Sequence, residues 1–149
     1  MNFLGYERPD GSVGIRNHVL IIPSKQSTLV ATKINEFVNG TITIPIASGN
    51  FEGHTNRDQE LADQVFVGLA SNPNVASVII DSEFRTVLPL AEEITKSGKR
   101  VELIEPDKDG GTMGSIAKGV HAAREMVREA SALRRQPYGL DKLTLAVKC

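Results

Sequence analysis

The sequence has one cysteine, Cys149, no tryptophan and only 5% aromatic residues among its 149. A single cysteine excludes an internal disulfide framework and any zinc centre built on cysteine pairs, and it points to a reducing compartment. Charge of one sign is also lacking. With a formal net charge of −1, the bulk electrostatics recruit neither nucleic acid nor anionic membrane. Long apolar runs are absent as well. The densest, Val19 to Ile22, falls far short of the roughly 20 residues that cross a bilayer. Met1 to Glu7 carries no basic region leading into an apolar core, so no secretory signal is read there and a cytoplasmic protein is expected. What remains, 40% hydrophobic and 23% charged residues, is the composition of one ordinary domain, able to bury about 68–70% of its unfolded surface without staples.

Strand and helix patterns alternate along the chain. Pro9-Asp10-Gly11 is a turn signal within Tyr6 to Asn17 and predicts a short hairpin over residues 1–17, ahead of an α/β domain over 18–149. Apolar or β-branched strands are expected at His18 to Ile22, Thr41 to Ile46, Val75 to Ile80, Arg100 to Ile104 and Leu143 to Val147. Helical spacing falls between them. Leu29, Val30, Ile34, Phe37 and Val38 form one stripe and Leu61, Val65, Phe66 and Leu69 another. Further helices are expected from Val87 to Lys96 and from about Thr112 to Arg135, the last carrying Ile116, Val120, Ala123, Val127 and Ala130 inward. Helical crossovers force parallel pairing. The expected fold is a three-layer α/β/α domain with a five-stranded, mostly parallel, Rossmann- or flavodoxin-like sheet. Because the chain stops at Lys148-Cys149 directly after an alternating apolar stretch, it reads as a piece of a longer chain or a truncated relative.

Ligands of such sheets gather outside the carboxyl ends of the strands, which selects four loops and whatever follows Val147. The first holds Ser24 to Thr28; its Ser27 could meet an oxyanion or cap the helix. The second, from Ala47 to Thr55, is long and carries Asn50, Glu52 and His54. Glu52 and His54 are candidate metal ligands, although two ligands do not complete a site. Asp81, Glu83 and Arg85 form the third group, suited to a polar ligand or to a solvated ion pair. In the fourth loop, Gly110, Gly111 and Thr112 offer backbone N–H groups and a hydroxyl at the start of the long helix, a cradle for a carboxylate or phosphate. The segment GGTMGS matches neither the dinucleotide fingerprint nor the P-loop. No Gly-x-Ser-x-Gly elbow is present, which argues against a serine hydrolase.

The opening GYERPDGSVGIRNHVLIIP, the central NPNVASVII and the stretch from GGTMGSIAKG to LAVKC resemble the altronate/galactarate dehydratase family of sugar-acid lyases, which also includes a sulfolactate sulfo-lyase. The Gly-x-Arg-Asn piece at Gly14, Arg16 and Asn17 is the most specific part. The resemblance implies elimination of water from a polyhydroxy acid to give a 2-keto-3-deoxy acid. It also implies a divalent metal such as iron in the full-length protein, which would hold carboxylate and hydroxyl as a Lewis acid while a base takes the proton. On this basis Arg16, Asn17, Ser27, Gly110, Gly111 and Thr112 are expected to bind a small sugar-acid substrate, with Arg16 and Thr112 as anion binders. Cys149 is the candidate catalytic residue and a further candidate metal ligand. A missing carboxyl-terminal domain, or a small partner subunit, is expected to complete the site, with self-association as a further expectation. Family members carry cysteines near Ser27, Asn50 and Arg85 and a histidine near Ile46; their replacement here implies that the chain is inactive alone. The alternative is a catalytically degenerate ligand-binding or assembly module of the same fold.

Overall fold

A computed structural model of the protein describes residues 1–23, 28–44, 56–82 and 87–147. Four strands, β3 (His18–Ile22), β4 (Thr41–Thr43), β5 (Val75–Asp81) and β6 (Arg100–Ile104), lie parallel in the order β4-β3-β5-β6. Leu20 stands beside both Ile42 and Val78, and Val78 beside Val101. Val, Ile and Leu dominate β3 and β5 because both faces of these central strands are covered.

Side chains alternate between the two faces. On one, Val19, Ile21, Ile79 and Ile104 meet Val30, Ala31 and Ile34 of α1 (Leu29–Phe37) and Ala122, Ala123 and Met126 of α4 (Gly111–Ala132). On the other, Leu20, Ile22, Val78 and Ile80 meet Ala62, Phe66 and Ala70 of α2 (Asn56–Ser71) and Leu90, Ala91 and Ile94 of α3 (Leu88–Thr95). Helices thus cover both faces, as the alternation of patterns predicts. Two stripes turn out differently. Leu29 and Phe37 of α1 are 50% and 67% exposed, and Leu61, Val65 and Leu69 of α2 also face outward. The buried arc of α2 is Ala62-Phe66-Ala70, one residue further along, where small alanines let the helix approach the sheet.

The fifth strand is the main correction. Leu143 to Val147 forms no ladder; Leu145 and Val147 stand exposed. Alternating polarity suits a strand, but a strand also needs an edge to pair with. The edge that recruits the chain's last segment belongs to a second sheet. There β1 (Asn2–Glu7) pairs antiparallel with β2 (Val13–Gly14) on one side and with β7 (Gln136–Gly139) on the other. A single 3-10 turn, Leu140–Lys142, follows β7. The predicted hairpin is the β1–β2 pair. Its turn closes through Arg8 and Ser12, with the Asp10 carboxylate accepting from the Ser12 N–H (2.9 Å) and hydroxyl (2.6 Å).

Candidate functional site

Strand order reverses about β3, which leads to β4 on one side and neighbours β5 on the other; the ligand crevice of such a sheet lies outside the carboxyl ends of those central strands. At that edge β5 ends on Asp81, 2% exposed and paired in register with Ile104. Ser82 then ties β5 to β6, donating both its N–H and its hydroxyl to the Ile104 carbonyl at 2.8 Å. Among the described residues Asp81 is the one buried carboxylate.

The turn from β6 into α4 is built around Asp109. Its carboxylate accepts the Glu105 N–H at 2.7 Å and receives the Lys118 ammonium on both oxygens at 2.9 and 3.0 Å. The Glu105 carbonyl in turn accepts the N–H groups of Lys108 and Asp109. Burial opposes the charge of Asp109, but the Glu105 amide and the Lys118 ammonium outweigh it and hold the carboxyl below its usual range. Gly110 and Gly111 follow with φ of 82° and 75°, the left-handed region that side chains disfavour. A Cβ on either would meet nothing within 4 Å among the described residues, so there conformation rather than crowding demands glycine. At Gly114 the demand is steric: a Cβ would stand 1.7 Å from the Asp109 carbonyl oxygen.

Helix α4 therefore opens at Gly111, with Gly110 at the cap and no side-chain cap among the described residues. Thr112 lies inside the helix with its side chain exposed, rather than at the cap. The Gly111 N–H is already given to the Pro106 carbonyl at 2.8 Å. What the helix terminus offers an anion is its partial positive charge, the following amides and the Thr112 hydroxyl. Ser115, one turn further in, is fully buried, and its hydroxyl has no hydrogen-bond partner among the described residues.

Arg16 and Asn17 lie elsewhere. They precede β3 at the amino end of the sheet, where the Ile15 and Arg16 N–H groups both donate to Asn74 Oδ1 at 2.9 Å. Arg8, 5% exposed, donates from Nε to the Pro73 carbonyl (2.7 Å) and from Nη2 to the Arg16 carbonyl (3.0 Å). Asn17 Nδ2 donates to the carbonyl of Ala130, near the far end of α4. Gly111 and Ala130 are 19 residues apart on one helix, or about 28 Å at 1.5 Å per residue. The structure thus brings Gly110, Gly111 and Thr112 together with Asp81, Ser82 and Ser115 at one edge, and leaves Arg16 and Asn17 in a hydrogen-bonded brace at the other. Ser27, Glu52, His54 and Cys149, with Ile46, Asn50 and Arg85, lie outside the described residues.

Sequence reasoning missed Ser115 and the Asp109–Lys118 pair. The serine sits amid an apolar helix face, and the pair spans a turn-to-helix junction that no regular spacing announces. Among the described residues, no group of three or more His, Cys, Asp or Glu side chains is placed to hold a metal ion. These residues therefore do not fit the divalent metal that the family resemblance implies. Also among them, no helix is long and apolar enough to cross a membrane.

A search of solved structures finds no match to the chain. Among curated proteins it is similar to the (2R)-sulfolactate sulfo-lyase subunit beta of Chromohalobacter salexigens, 36% identical over 151 residues. That alignment covers 99% of this chain and 38% of the relative, so the chain spans well under half of the relative's length. The family model described as D-galactarate dehydratase/Altronate hydrolase, second domain, matches residues 5–131. Spanning the α/β unit from β1 to the end of α4, that match shows that the chain belongs to the D-galactarate dehydratase/altronate hydrolase family and corresponds to its second domain.

Proposed function

We propose that this chain is a domain of a lyase that eliminates a leaving group from a small hydroxy acid. The observation that carries this reading is the family match over residues 5–131, supported by the similarity to a sulfo-lyase subunit. The substrate class we assign is a polyhydroxy acid of the altronate or galactarate type. Loss of the proton beside the carboxylate and departure of the adjacent hydroxyl as water give an enol that becomes a 2-keto-3-deoxy acid. The chain's contribution is electrostatic: the start of α4, with Thr112 exposed beyond two glycines of positive φ, suits the substrate carboxylate. Asp81 and Ser82 sit on the neighbouring strand end and face the same edge of the sheet.

Completion of the site is assigned to further parts of the same polypeptide or to a small partner subunit, in line with a relative that is itself a subunit. A divalent metal, if used, would need ligands beyond the described residues, such as Glu52, His54 or Cys149, and no step above depends on it. The degenerate-module alternative draws on one observation: Ser27, Asn50 and Arg85 stand where the resemblance expects cysteines. One assay separates the two readings. The full-length polypeptide is supplied with iron or manganese and offered a panel of aldonic, aldaric and sulfo-acids, and 2-keto acid formation is followed. Turnover that falls in Thr112→Ala supports the lyase; no turnover of any substrate by folded, metal-supplied protein leaves the binding module.

A further inference from the structure

At the amino end of the parallel sheet, a cleft of about 610 Å³ opens between the β1–β2 turn, the first residues of β5 and β6, and the last turns of α4. Arg8, Ser77, Lys99 and Arg100 line it, with Met126 and Leu133 on the helix side. Arg8 and Lys99 are only 5% and 4% exposed. Neither forms an ion pair among the described residues; both are held by backbone carbonyls. Lys99 Nζ donates to Ala70 O at 2.6 Å and to Asn72 O at 2.8 Å, while Arg8 spends Nε and Nη2 on Pro73 and Arg16.

A guanidinium carries five N–H donors and an ammonium three, so among the described residues three on Arg8 and one on Lys99 have no acceptor. Ser77, 5% exposed, adds a buried hydroxyl with no hydrogen-bond partner among the described residues. Buried cations without a counter-ion and buried donors without acceptors are both costly. Two carboxylates, Glu7 and Glu129, also line the cleft, and they, like Asp10 beside it, are otherwise engaged. Glu129 pairs with Arg100 at 2.7 Å, Glu7 accepts the Tyr138 hydroxyl at 3.2 Å, and Asp10 is held by Ser12.

We propose that this cleft binds a small organic oxyanion, a carboxylate or phosphate ester, with its charged head on Arg8, Lys99 and the Ser77 hydroxyl and its apolar body against Met126 and Leu133. The site is separate from the carboxyl edge assigned above to substrate, and it neutralises the two buried cations together. Lys99 retains its proton at neutral pH: burial and the charge of Arg8 bring its pKa down to about 8, with Asp10 acting in the opposite sense.

The test is a titration of the 15N-labelled protein with phenyl phosphate and with benzoate, read by amide shifts. Saturable shifts at residues 76–78, 98–100 and 126–133 are expected with at least one probe, and the tighter probe identifies the preferred head group. Lys99→Met should weaken binding about 10-fold, the value of one charge-assisted hydrogen bond. Ser77→Asp, which places a carboxylate in the cleft, should abolish it. Between about pH 7 and pH 9.5 the parent should lose about 10-fold in affinity as Lys99 deprotonates, and Lys99→Met should not. Non-saturating shifts with both probes, shifts confined to residues 105–115, or unchanged affinity in Ser77→Asp would each overturn the proposal. Ser77→Asp decides alone if Lys99→Met does not fold.

Discussion

Replacing Gly14 by alanine tests why the Gly-x-Arg-Asn segment has the residues it has. A Cβ at this position would lie 2.0 Å from the Pro73 carbonyl oxygen, 2.4 Å from its carbon and 2.9 Å from the Asn74 nitrogen. Both partners are backbone, so neither can swing aside, and restoring an ordinary contact of 3.4 Å requires the two segments to part by about 1.4 Å. That displacement breaks the Arg8 Nε bond to Pro73, now 2.7 Å, and the two 2.9 Å bonds from Ile15 and Arg16 to Asn74 Oδ1. One charge-assisted and two neutral hydrogen bonds are together worth about 3–5 kcal/mol, reduced by about 0.4–1 kcal/mol because alanine restricts the unfolded chain. For a domain of this size the net loss lowers the melting temperature by about 8–15 °C. Gly68 provides the control: it is exposed on α2 and a Cβ there would meet nothing within 4 Å among the described residues. Gly68→Ala should raise stability by about 1 kcal/mol. Thermal unfolding followed by circular dichroism measures both. If Gly14→Ala melts within about 2 °C of the parent, the brace at the amino end of the sheet is not the reason for glycine.

Asp109→Asn should cost about 1–2 kcal/mol by removing the ion pair with Lys118. The Asp109 carboxyl is held below its usual range, so its contribution is present above about pH 4 and disappears as the pH falls through the folded value; urea midpoints at acid and neutral pH should show this slope in the parent and not in the variant. Lys99 behaves in the opposite sense. Its pKa is lowered to about 8 from 10.5, so the folded state carries a penalty below pH 8 that is relieved as the pH rises. From about pH 7.5 to 9.5 the parent should gain about 2 kcal/mol relative to Lys99→Met, and equal slopes in urea unfolding would refute the assignment. Gly114→Ala should disrupt the turn into α4, because the added carbon meets the Asp109 carbonyl oxygen; amide exchange at residues 105–112 should accelerate while the β3 amides stay protected.

The four parallel strands were legible because β-branched runs such as Val75 to Ile80 have few alternatives to a buried strand. β7 was not. Its sequence, QPYG, is poor in strand formers, and it exists because β1 supplies an edge at the other end of the sequence, with Pro137 tolerated at the rim of the sheet. Leu143 to Val147 is the converse, a strand-like pattern with no ladder to join. At the site, Gly110-Gly111-Thr112 was readable as a helix opening, since paired glycines there are costly without a reason. Arg16 and Asn17 stood out through the family resemblance, but their place in the fold was not readable. Their backbone and amide groups are tied to Asn74 and Ala130, contacts spanning 58 residues or more that local spacing does not encode.

The pairing of β1 with β7 sets Asn2 opposite Gly139, so the path into the α/β unit and the path out of it share one seam. A module with adjoining entry and exit can be spliced into a longer polypeptide as a side branch, leaving its host's own connection almost uninterrupted. The same seam means that a linker of about a few residues could join those strand ends, with new termini opened at an exposed turn. What looks like a peripheral ribbon beside the main sheet is, in this sense, the socket by which the whole unit can be plugged in or removed.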